Sequence, residues 1–551
     1  MPSPGRDVLR SATPVVGRSG EPSPGGSSSR GGGDPALSGG PSRETRASGG
    51  EIPSPGRDAL RSATPVVVIG GGIAGLVAAR TCLLRGRTVT VLEAGATFGG
   101  SVARHNVAGL VLDAGAESFA TRGGAVAGLI DELGLADSVE WPNAAGAWLH
   151  LADRTVPMPR GGLLGIPVDP TAPDVVAAIG EDAARRARRD LTEPLSAGFA
   201  PATLGALVRE RMGQAVLDRL VSPVATGVYS TAADDLAVDA IAPGLRSALE
   251  RTGSLARAVA ELRAVARPGS AAGGLRGGMA ALVEALVADI IARGGRLVTR
   301  SQVPALTRAA GGGWDVLVSA GNEIGAARPR GRNADLADAP AGPHDGVLHA
   351  DAVIIATAQP DAVRLLSGAV ASDAGLLPAP DAWPAPTRVD LATLVLDAPD
   401  LDAAPRGTGL LVAEDAHARV AAKALTHATA KWAWLAEAAG PARHVVRLSY
   451  GQTGHVNPAQ GLNDDALRAL ALRDAATLLG VPLDSAQVTG FARAVWTNAV
   501  SLAARGQAAR VDAVRTAVAA TPDLEATGAW IAGTGLASVV PDAQAAASRL
   551  V

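Results

Sequence analysis

The spacing of three glycines is the first pattern in this chain that suggests a definite chemistry. Residues 70–75 form G-x-G-x-x-G between an apolar run at 65–69, which predicts a buried strand, and an Ala- and Leu-rich stretch at 74–84, which predicts a helix. A second predicted strand at 88–92 ends at Glu93. Such glycines let a pyrophosphate approach the backbone at a helix N-terminus, and a carboxylate after the second strand can accept hydrogen bonds from a ribose. The pattern predicts a dinucleotide-binding site.

Two further segments indicate which dinucleotide binds. Gly99-Gly100 and the Asp-Ala-Gly-Ala-Glu-Ser stretch at 113–118 follow Glu93 closely, as is usual in flavoproteins of the amine-oxidase type and seldom seen in nicotinamide enzymes. Near the C-terminus, residues 528–551 predict a strand, a Gly-rich turn and a helix. This order is similar to a terminal flavin motif in which the helix start faces the isoalloxazine ring. The two ends of the chain together predict FAD as the cofactor.

Composition limits the class of protein. The chain has 551 residues, of which 47% are hydrophobic, and this predicts a globular protein of two or three lobes. Its net charge of −3 provides no basic field that would neutralise phosphates, so no nucleic-acid partner is expected. The single cysteine, Cys82, is expected to be a small core residue, and the eight histidines show no metal-ligand spacing. We therefore expect neither a disulfide nor a metal site.

The first 64 residues differ in composition from the rest of the chain. They are rich in Gly, Pro, Ser and Arg, which predicts a disordered extension or a sequence upstream of the true start. Residues 2–16 recur at 53–67 with a single difference, and only the second copy leads into the glycine triplet. The folded body is therefore expected to begin near Pro65. Because we find neither a secretory signal nor a long apolar run, we expect a cytoplasmic protein, soluble or peripheral to the membrane.

Several longer segments resemble one enzyme family. These segments are residues 66–134, residues 209–238 with their Thr-Gly-Val-Tyr sequence, residues 273–286, residues 423–435, and the Gly-rich C-terminus. They are similar to protoporphyrinogen/coproporphyrinogen oxidases, and most of all to the actinobacterial, coproporphyrin-forming branch. The resemblance covers most of residues 65–551 and implies an α/β fold. That fold would comprise a Rossmann-like FAD-binding domain of the amine-oxidase/protoporphyrinogen-oxidase type, a mixed-sheet substrate domain, and a helical lobe that can rest on a membrane.

The same resemblance implies how the chain is divided. The FAD-binding domain would combine residues 65–130, 271–360 and 486–551, with a substrate and helical lobe at 131–270 and a substrate domain at 361–485. Residues 185–262 have a mostly helical pattern and would build part of the lobe. The segment at 311–351 is rich in Pro, Gly and charge, so we expect a surface excursion between strands.

The resemblance also implies which residues contact the cofactor. They are Gly70, Gly71, Gly72, Ile73, Ala74 and Gly75 at the pyrophosphate, Glu93 and Ala94 at the ribose, Ser101, Gly115, Ala116, Glu117 and Ser118 along the flavin, Val303 at adenine, Trp496 near the flavin, and Ser538, Val539 and Val540 in the terminal motif. A slip of one or two residues in the terminal motif would move these contacts toward Gly535 and Leu536.

The reaction implied by the resemblance is the FAD-dependent oxidation of coproporphyrinogen III to coproporphyrin III, a step of haem biosynthesis, with O2 as acceptor and H2O2 as by-product. The cofactor carries the redox step, so no catalytic side chain is required. The substrate bears four carboxylates, for which arginine is the natural partner. Arg122 is the candidate, the alternative being a solvated surface charge, and the resemblance implies that Gly227 and Tyr229 line the cavity. The next haem-pathway enzyme is a candidate partner.

One departure from the family pattern leaves other functions open. The family carries Trp, then Pro-Gln-Tyr, then Gly-His in its last quarter, whereas this chain keeps Trp496 and Gly506 but has Val-Ser-Leu at 500–502 and then Gln507. A flavin-binding protein without turnover is therefore one alternative. The others are a protoporphyrinogen IX oxidase and an enzyme like flavin amine oxidases or carotenoid desaturases. Aromatic residues make up only 3% of the chain, which leaves few side chains for an amine-binding cage.

Overall fold

The computed structural model describes residues 65–264, 272–319, 322–324, 346–370, 377–384, 387–497 and 504–550. The predicted extension at 1–64 lies outside these residues, as do most of the predicted excursion and the Val-Ser-Leu segment at 500–502. Within the described ranges, no helix is both long enough and apolar enough to cross a bilayer.

A six-stranded sheet forms the centre of the fold. Its strands, in spatial order, are β13 (Asn322–Ile324), β10 (Arg296–Thr299), β2 (Thr88–Leu92), β1 (Pro65–Ile69), β15 (Ala352–Ile355) and β21 (Leu524–Ala526). All neighbours pair in parallel except β13, which is antiparallel at the edge. The strands predicted at 65–69 and 88–92 are confirmed. β1 is a continuous apolar run because both faces of a parallel sheet are covered.

Different elements cover the two faces of this sheet. One face is covered by α1 (Ile73–Leu84), α2 (Ala125–Glu132), α11 (Ala280–Ala292) and α18 (Leu536–Arg549). The other is covered by α12 (Gln359–Ala369), α16 (Gln507–Ala519), α17 (Ala529–Ala532) and an antiparallel sheet of β11 (Gln302–Arg308), β12 (Trp314–Ser319) and β14 (Gly346–Ala350). Cys82 is fully buried against the first face, so its prediction as a core residue is confirmed.

A second, seven-stranded sheet is mixed. Its strands, in spatial order, are β20 (Val488–Trp496), β16 (Val389–Asp397), β19 (Arg443–Tyr450), β18 (Ala424–His427), β17 (Gly409–Val412), β7 (Ala147–His150) and β8 (Thr155–Pro157). Only β17 and β7 pair in parallel. The hairpin of β3 (Arg104–Val107) and β4 (Leu110–Asp113) and the helices α13 (Ala428–Lys431), α14 (Ala433–Ala439) and α15 (Asp464–Leu479) accompany it. A small sheet of β5 (Phe119–Ala120), β9 (Ala272–Leu275) and β6 (Val139–Glu140) completes the strands.

A helical lobe carries a separate hydrophobic core. Its helices are α3 (Pro173–Ile179), α4 (Glu181–Arg188), α5 (Leu204–Met212), α6 (Gln214–Val216), α7 (Ser222–Val224), α8 (Val238–Ile241), α9 (Leu245–Thr252) and α10 (Leu255–Ala264), with π-helical turns at Leu217–Val221 and Ala225–Tyr229. A buried carboxylate ties the lobe together. Asp190 pairs with Arg211 at 2.7 Å and accepts backbone N–H groups from the first turn of α10, so it caps that helix.

The structure confirms the α/β fold with its mixed sheet and helical lobe, and it corrects two local predictions. The strand expected at the start of residues 528–551 is instead the short helix α17, and β21 precedes it. The predicted excursion contains β12, whose Trp314 is fully buried in the core. The range 486–551, proposed as the third part of the cofactor domain, begins with β20, which pairs with β16 in the seven-stranded sheet.

Candidate active site

The glycine triplet joins β1 to α1, and each glycine has its own reason to lack a side chain. A Cβ on Gly75 would lie 1.8 Å from the carbonyl oxygen of Gly70, so this glycine allows the helix to pack on the loop. Gly70 has φ +107°, a backbone conformation that favours glycine. A Cβ on Gly72 would meet only Gly100, at 3.9 Å. The space beside Gly72 is therefore open to a ligand.

The first turn of α1 faces the same space. Gly72 precedes the helix, and among the described residues no side chain caps its first turn, so the backbone N–H groups there suit an anion. Ile73 and Ala74 begin the helix and are buried. The second glycine pair lies alongside, because Gly99 donates its N–H to the Gly71 carbonyl at 2.8 Å. These residues fit a pyrophosphate.

Glu93 has a second role that the sequence did not reveal. Its carboxylate accepts the N–H of Gly71 at 2.7 Å and that of Gly95 at 2.6 Å, so it braces the glycine loop. A carboxylate has further lone pairs and can still accept a ribose hydroxyl. Ala94 is exposed beside it.

Val303 lies near the same end of the sheet as Glu93. The N–H of Ser301 donates to the Glu93 carbonyl at 2.8 Å, which ties the chain entering β11 to the end of β2. Val303 is buried, and its carbonyl accepts a hydrogen bond from Arg364 at 3.2 Å. Glu93, Ala94 and Val303 thus occupy one region, as a nucleoside site requires.

Ser101, Gly115 and Trp496 come together although they lie in separate parts of the chain. Ser101 accepts the N–H of Ala116 at 2.9 Å, and a Cβ on Gly115 would lie 2.0 Å from the Ser101 carbonyl oxygen. The Trp496 indole donates to the Ala114 carbonyl at 3.1 Å and covers Gly115. Gly115 is therefore required by packing, and Trp496 supports the segment expected to lie along the flavin.

Glu117 is the centre of a buried charge cluster. Its carboxylate binds Lys431, which ends α13, and Arg447 on β19, the latter at 2.8 Å. Arg447 also donates to the carbonyls of Asp113 and Gly115, so one guanidinium holds the whole 113–117 turn. Burial alone would raise the pKa of Glu117, but the charges of Arg447 and Lys431 lower it below its ordinary value. Glu117 is therefore an anion at neutral pH, and Ser118 follows it, half-buried.

Asp113 has the opposite electrostatic behaviour. Its carboxylate accepts the N–H of Met279 at 2.9 Å, at the start of α11. Burial and the neighbouring Glu117 charge raise its pKa to about 7. Two acids only four positions apart thus differ in charge state near neutral pH.

Arg122, Gly227 and Tyr229 are the residues predicted on the substrate side. Arg122 is exposed and donates to the Ser538 hydroxyl at 3.1 Å. Burial raises the pKa of Tyr229, and the charge of Arg122 opposes this rise. A Cβ on Gly227 would lie 2.5 Å from the Leu411 side chain, so Gly227 packs on β17. Val539 and Val540, next to Ser538, are buried between α18 and α1.

Sequence reasoning missed Lys431, Arg447 and Asp113. Arg447 is separated from Gly115 by 332 positions, and no local pattern connects them. A signal did exist for Lys431, which is one of only two lysines in a chain that otherwise uses arginine. Gln507, which replaces the family histidine, is fully buried at the start of α16.

A model of the flavin containing amine oxidoreductases matches residues 73–550. The chain belongs to this family. It is therefore an oxidoreductase whose cofactor is a flavin. Among family members, the coproporphyrinogen III oxidase of Mycobacterium leprae is 30% identical over 495 residues, covering 88% of this chain and 96% of that one. The coproporphyrinogen III oxidase of Mycobacterium tuberculosis is 29% identical over 494 residues with the same coverage. The resemblance drawn from the sequence is confirmed.

Two solved structures share the fold. A protein from Exiguobacterium sp. 255-15, assigned as a protoporphyrinogen oxidase, superposes with a TM-score of 0.72 at 24% identity, covering 89% of this chain and 99% of that one. A putrescine oxidase superposes with a TM-score of 0.56 at 14% identity, covering 89% of this chain and 99% of that one. At these identities the likeness concerns the fold alone.

Proposed function

We propose that this protein binds FAD and oxidises coproporphyrinogen III to coproporphyrin III, a step of haem biosynthesis, with O2 as acceptor and H2O2 as by-product. The observation that carries the proposal is the similarity to coproporphyrinogen III oxidases over 88% of the chain. The glycine loop after β1, Glu93 at the end of β2 and the packing of α18 against α1 also support the proposal.

Several features support FAD rather than a smaller flavin. The open space beside Gly72 and the uncapped start of α1 would take the pyrophosphate. Glu93, Ala94 and Val303 would hold the adenosine end. The 113–118 turn, with Ser101 and Trp496, would lie along the ring system.

The chain would contribute position and charge to the reaction. When bound, the flavin supplies the hydride acceptor for the saturated meso carbons of the substrate. Arg447 and Lys431 neutralise Glu117 and keep the 113–118 turn in one conformation. Arg122 and Tyr229 would face the substrate, with Arg122 pairing with a carboxylate. Trp496 covers Gly115 on one side.

The decisive experiment is the appearance of porphyrin fluorescence. Purified holoprotein is incubated with coproporphyrinogen III under air, beside an enzyme-free control and beside protoporphyrinogen IX. Faster fluorescence with coproporphyrinogen III than in the control supports the proposal. A rate no faster than the control, from protein that retains its flavin, would favour a binding protein without turnover. Oxidation of protoporphyrinogen IX alone would favour the vinyl-bearing substrate.

The electron acceptor is tested separately. Six electrons leave each porphyrinogen, so three molecules of peroxide are expected for every porphyrin formed if O2 is the acceptor. Peroxide is measured with a coupled peroxidase dye while porphyrin is followed by absorbance. Turnover that requires an added quinone and yields no peroxide would contradict this part of the proposal and leave the substrate assignment standing.

A further inference from the structure

Lys423 is a cation in an unusual place. It lies between β17 and β18, and only 3% of its surface is exposed. Its ammonium donates a hydrogen bond to the Ser230 hydroxyl at 2.5 Å. Among the described residues, the structure gives this ammonium no carboxylate within salt-bridge distance. The other lysine, Lys431, has Glu117 as its partner.

A buried ammonium without a counter-charge is costly, because the protein interior solvates charge poorly. Burial lowers the pKa of Lys423 to about 8, and no neighbouring anion opposes this. Lys423 is thus still mainly charged at neutral pH. A buried cation without a counter-charge is a candidate site for an anionic ligand.

Ser230 is held rigidly above Lys423. It has φ +54° and ends the π-helical turn Ala225–Tyr229. Its N–H donates to Thr226 at 3.1 Å, and its carbonyl accepts from both the N–H and the hydroxyl of Thr453, at 2.8 and 3.0 Å. The turn that carries Gly227 and Tyr229 is therefore fixed to the seven-stranded sheet through Ser230.

The Ser230 hydroxyl has an unused donor. Because its oxygen accepts from the Lys423 ammonium, its own hydrogen must point elsewhere. Within the part of the chain that the structure describes, this hydrogen has no acceptor. Ser230 is half-buried and directly follows Tyr229, a residue predicted to line the substrate cavity. A donor backed by a cation suits a carboxylate.

We propose that Ser230 and Lys423 form a carboxylate-binding unit for the substrate, in which the Ser230 hydroxyl donates to one propionate carboxylate and the Lys423 ammonium beneath it supplies the opposite charge. The inference rests on the proposed function, since it assigns a receptor for one of the four carboxylates. Arg122 serves a different carboxylate.

The test measures ligand binding rather than turnover. Holoprotein variants Ser230→Ala and Lys423→Met are titrated with coproporphyrin III and, in the same detergent buffer, with its uncharged tetramethyl ester. Each variant should weaken coproporphyrin III binding by about 10- to 100-fold, while the affinity for the ester stays as in the wild type. The double variant should bind no more weakly than the weaker single variant, because the two residues act on one carboxylate. In turnover, KM for coproporphyrinogen III should rise while kcat changes little.

Arg468→Met is the matched control, since Arg468 is exposed on α15 and, among the described residues, pairs with Asp465 alone. It should change none of these values.

If Lys423→Met does not fold, Ser230→Ala still tests the proposal, because it removes the hydroxyl donor and leaves the Lys423 ammonium in place. Unchanged coproporphyrin III affinity in Ser230→Ala overturns the proposal, as does equal loss of affinity for acid and ester, which would show a purely structural role. If the wild-type protein oxidises coproporphyrinogen III and both variants bind coproporphyrin III as tightly as the wild type, this inference is refuted and the proposed function stands. Wild-type protein that neither binds coproporphyrin III nor oxidises the porphyrinogen refutes the proposed function and this inference with it.

Discussion

The Glu117 carboxylate joins three segments that are far apart in the chain. Lys431 and Arg447 reach it from the seven-stranded sheet and its adjoining helix, and all three side chains are at least four-fifths buried. A buried ion pair contributes little in itself, but removing one partner leaves uncompensated charge. Loss of the Glu117 carboxylate would leave Lys431 and Arg447 buried without this counter-charge.

Glu117→Gln should therefore destabilise the protein strongly and lower its flavin content. We expect the free energy of unfolding to fall by about 3 kcal/mol or more, measured by urea denaturation followed by tryptophan fluorescence. The matched control is Glu437→Gln, because Glu437 is 72% exposed and lies 3.6 Å from Arg276. That change should cost almost nothing. Equal effects of the two changes would show that the Glu117 cluster is not a stabilising centre.

The raised pKa of Asp113 should make the stability of the protein depend on pH. Its pKa in the folded protein, about 7, lies above the ordinary value of 3.8, so the folded state binds this proton more tightly than the unfolded state does. The contribution of protonated Asp113 to the free energy of unfolding is fully present below about pH 4 and is lost as the pH rises through 7. Asp113→Asn keeps an acceptor for Met279 but removes the titration. The advantage of Asp113→Asn over the wild type should therefore be larger at pH 8 than at pH 5, by about 2–3 kcal/mol, as measured by urea titrations at both pH values. Parallel changes in both proteins would contradict the raised pKa.

Substitution of Arg122 tests whether this residue binds a carboxylate of the substrate. It is exposed, so its pairing with a carboxylate is screened by water and worth less than a buried pair. Arg122→Ala should raise KM for coproporphyrinogen III by about two- to fivefold, with kcat little changed, and should narrow the preference over protoporphyrinogen IX. Steady-state fluorescence assays measure both, with the exposed Arg154→Ala as control. Unchanged KM would leave Arg122 as a solvated surface charge.

The cofactor residues that could be predicted from the sequence are those whose neighbours are close in the chain. Glu93 follows Gly75 by one helix and one strand, so a regular βαβ unit is enough to bring them together. Arg447 and Lys431 could not be placed on Glu117, because their approach depends on how two sheets pack. Ser230 and Lys423 were likewise hidden, since 193 positions separate them.

Two glycines at the start of α1 differ in function: Gly72 lies beside the space expected to hold the pyrophosphate, and Gly75 is needed for packing. The backbone at Gly72 has φ −69°, which any residue adopts, and the space beside it is open, whereas Gly75 has no room for a Cβ. The two glycines therefore have different functions within one loop.

Gly72→Val should give a folded but colourless protein, because the side chain would occupy the space for the pyrophosphate. Gly75→Ala should destabilise the fold by about 1–3 kcal/mol, since its Cβ would press on the Gly70 carbonyl. Flavin absorbance and thermal unfolding distinguish the two outcomes. Gly128→Ala, in α2 with nothing within 4 Å, is the control and should retain both colour and stability. A yellow Gly72→Val protein with a normal flavin spectrum would refute this position for the cofactor.

The strand predicted after Gly528 illustrates a limit of local patterns. Ala529–Ala532 is a short apolar run between glycines, and such a run fits a strand or a helical turn equally well. Tertiary contacts decide the conformation: Trp530 packs edge-on against Trp383, with ring centroids 5.7 Å apart. Neither the distant tryptophan nor the helical turn could be read from the sequence.

The described body begins with β1 at Pro65, in the middle of the six-stranded sheet, and its cores are built from residues after that point. Deleting residues 1–64 should therefore leave flavin content and melting temperature almost unchanged. Flavin absorbance and differential scanning calorimetry on the full chain and on the shortened chain provide the comparison. A large loss of either would show that the N-terminal segment packs on the body.

The last strand and helix have a consequence for how the protein is made. β21 completes one edge of the six-stranded sheet beside β15, and α18 covers α1 and supplies Ser538 to the substrate side. During translation β21 and α18 are synthesised after β15 and α1, the elements against which they pack. A nascent chain therefore holds an open sheet edge and a bare apolar helix face until synthesis reaches α18, and these are surfaces that chaperones and proteases recognise.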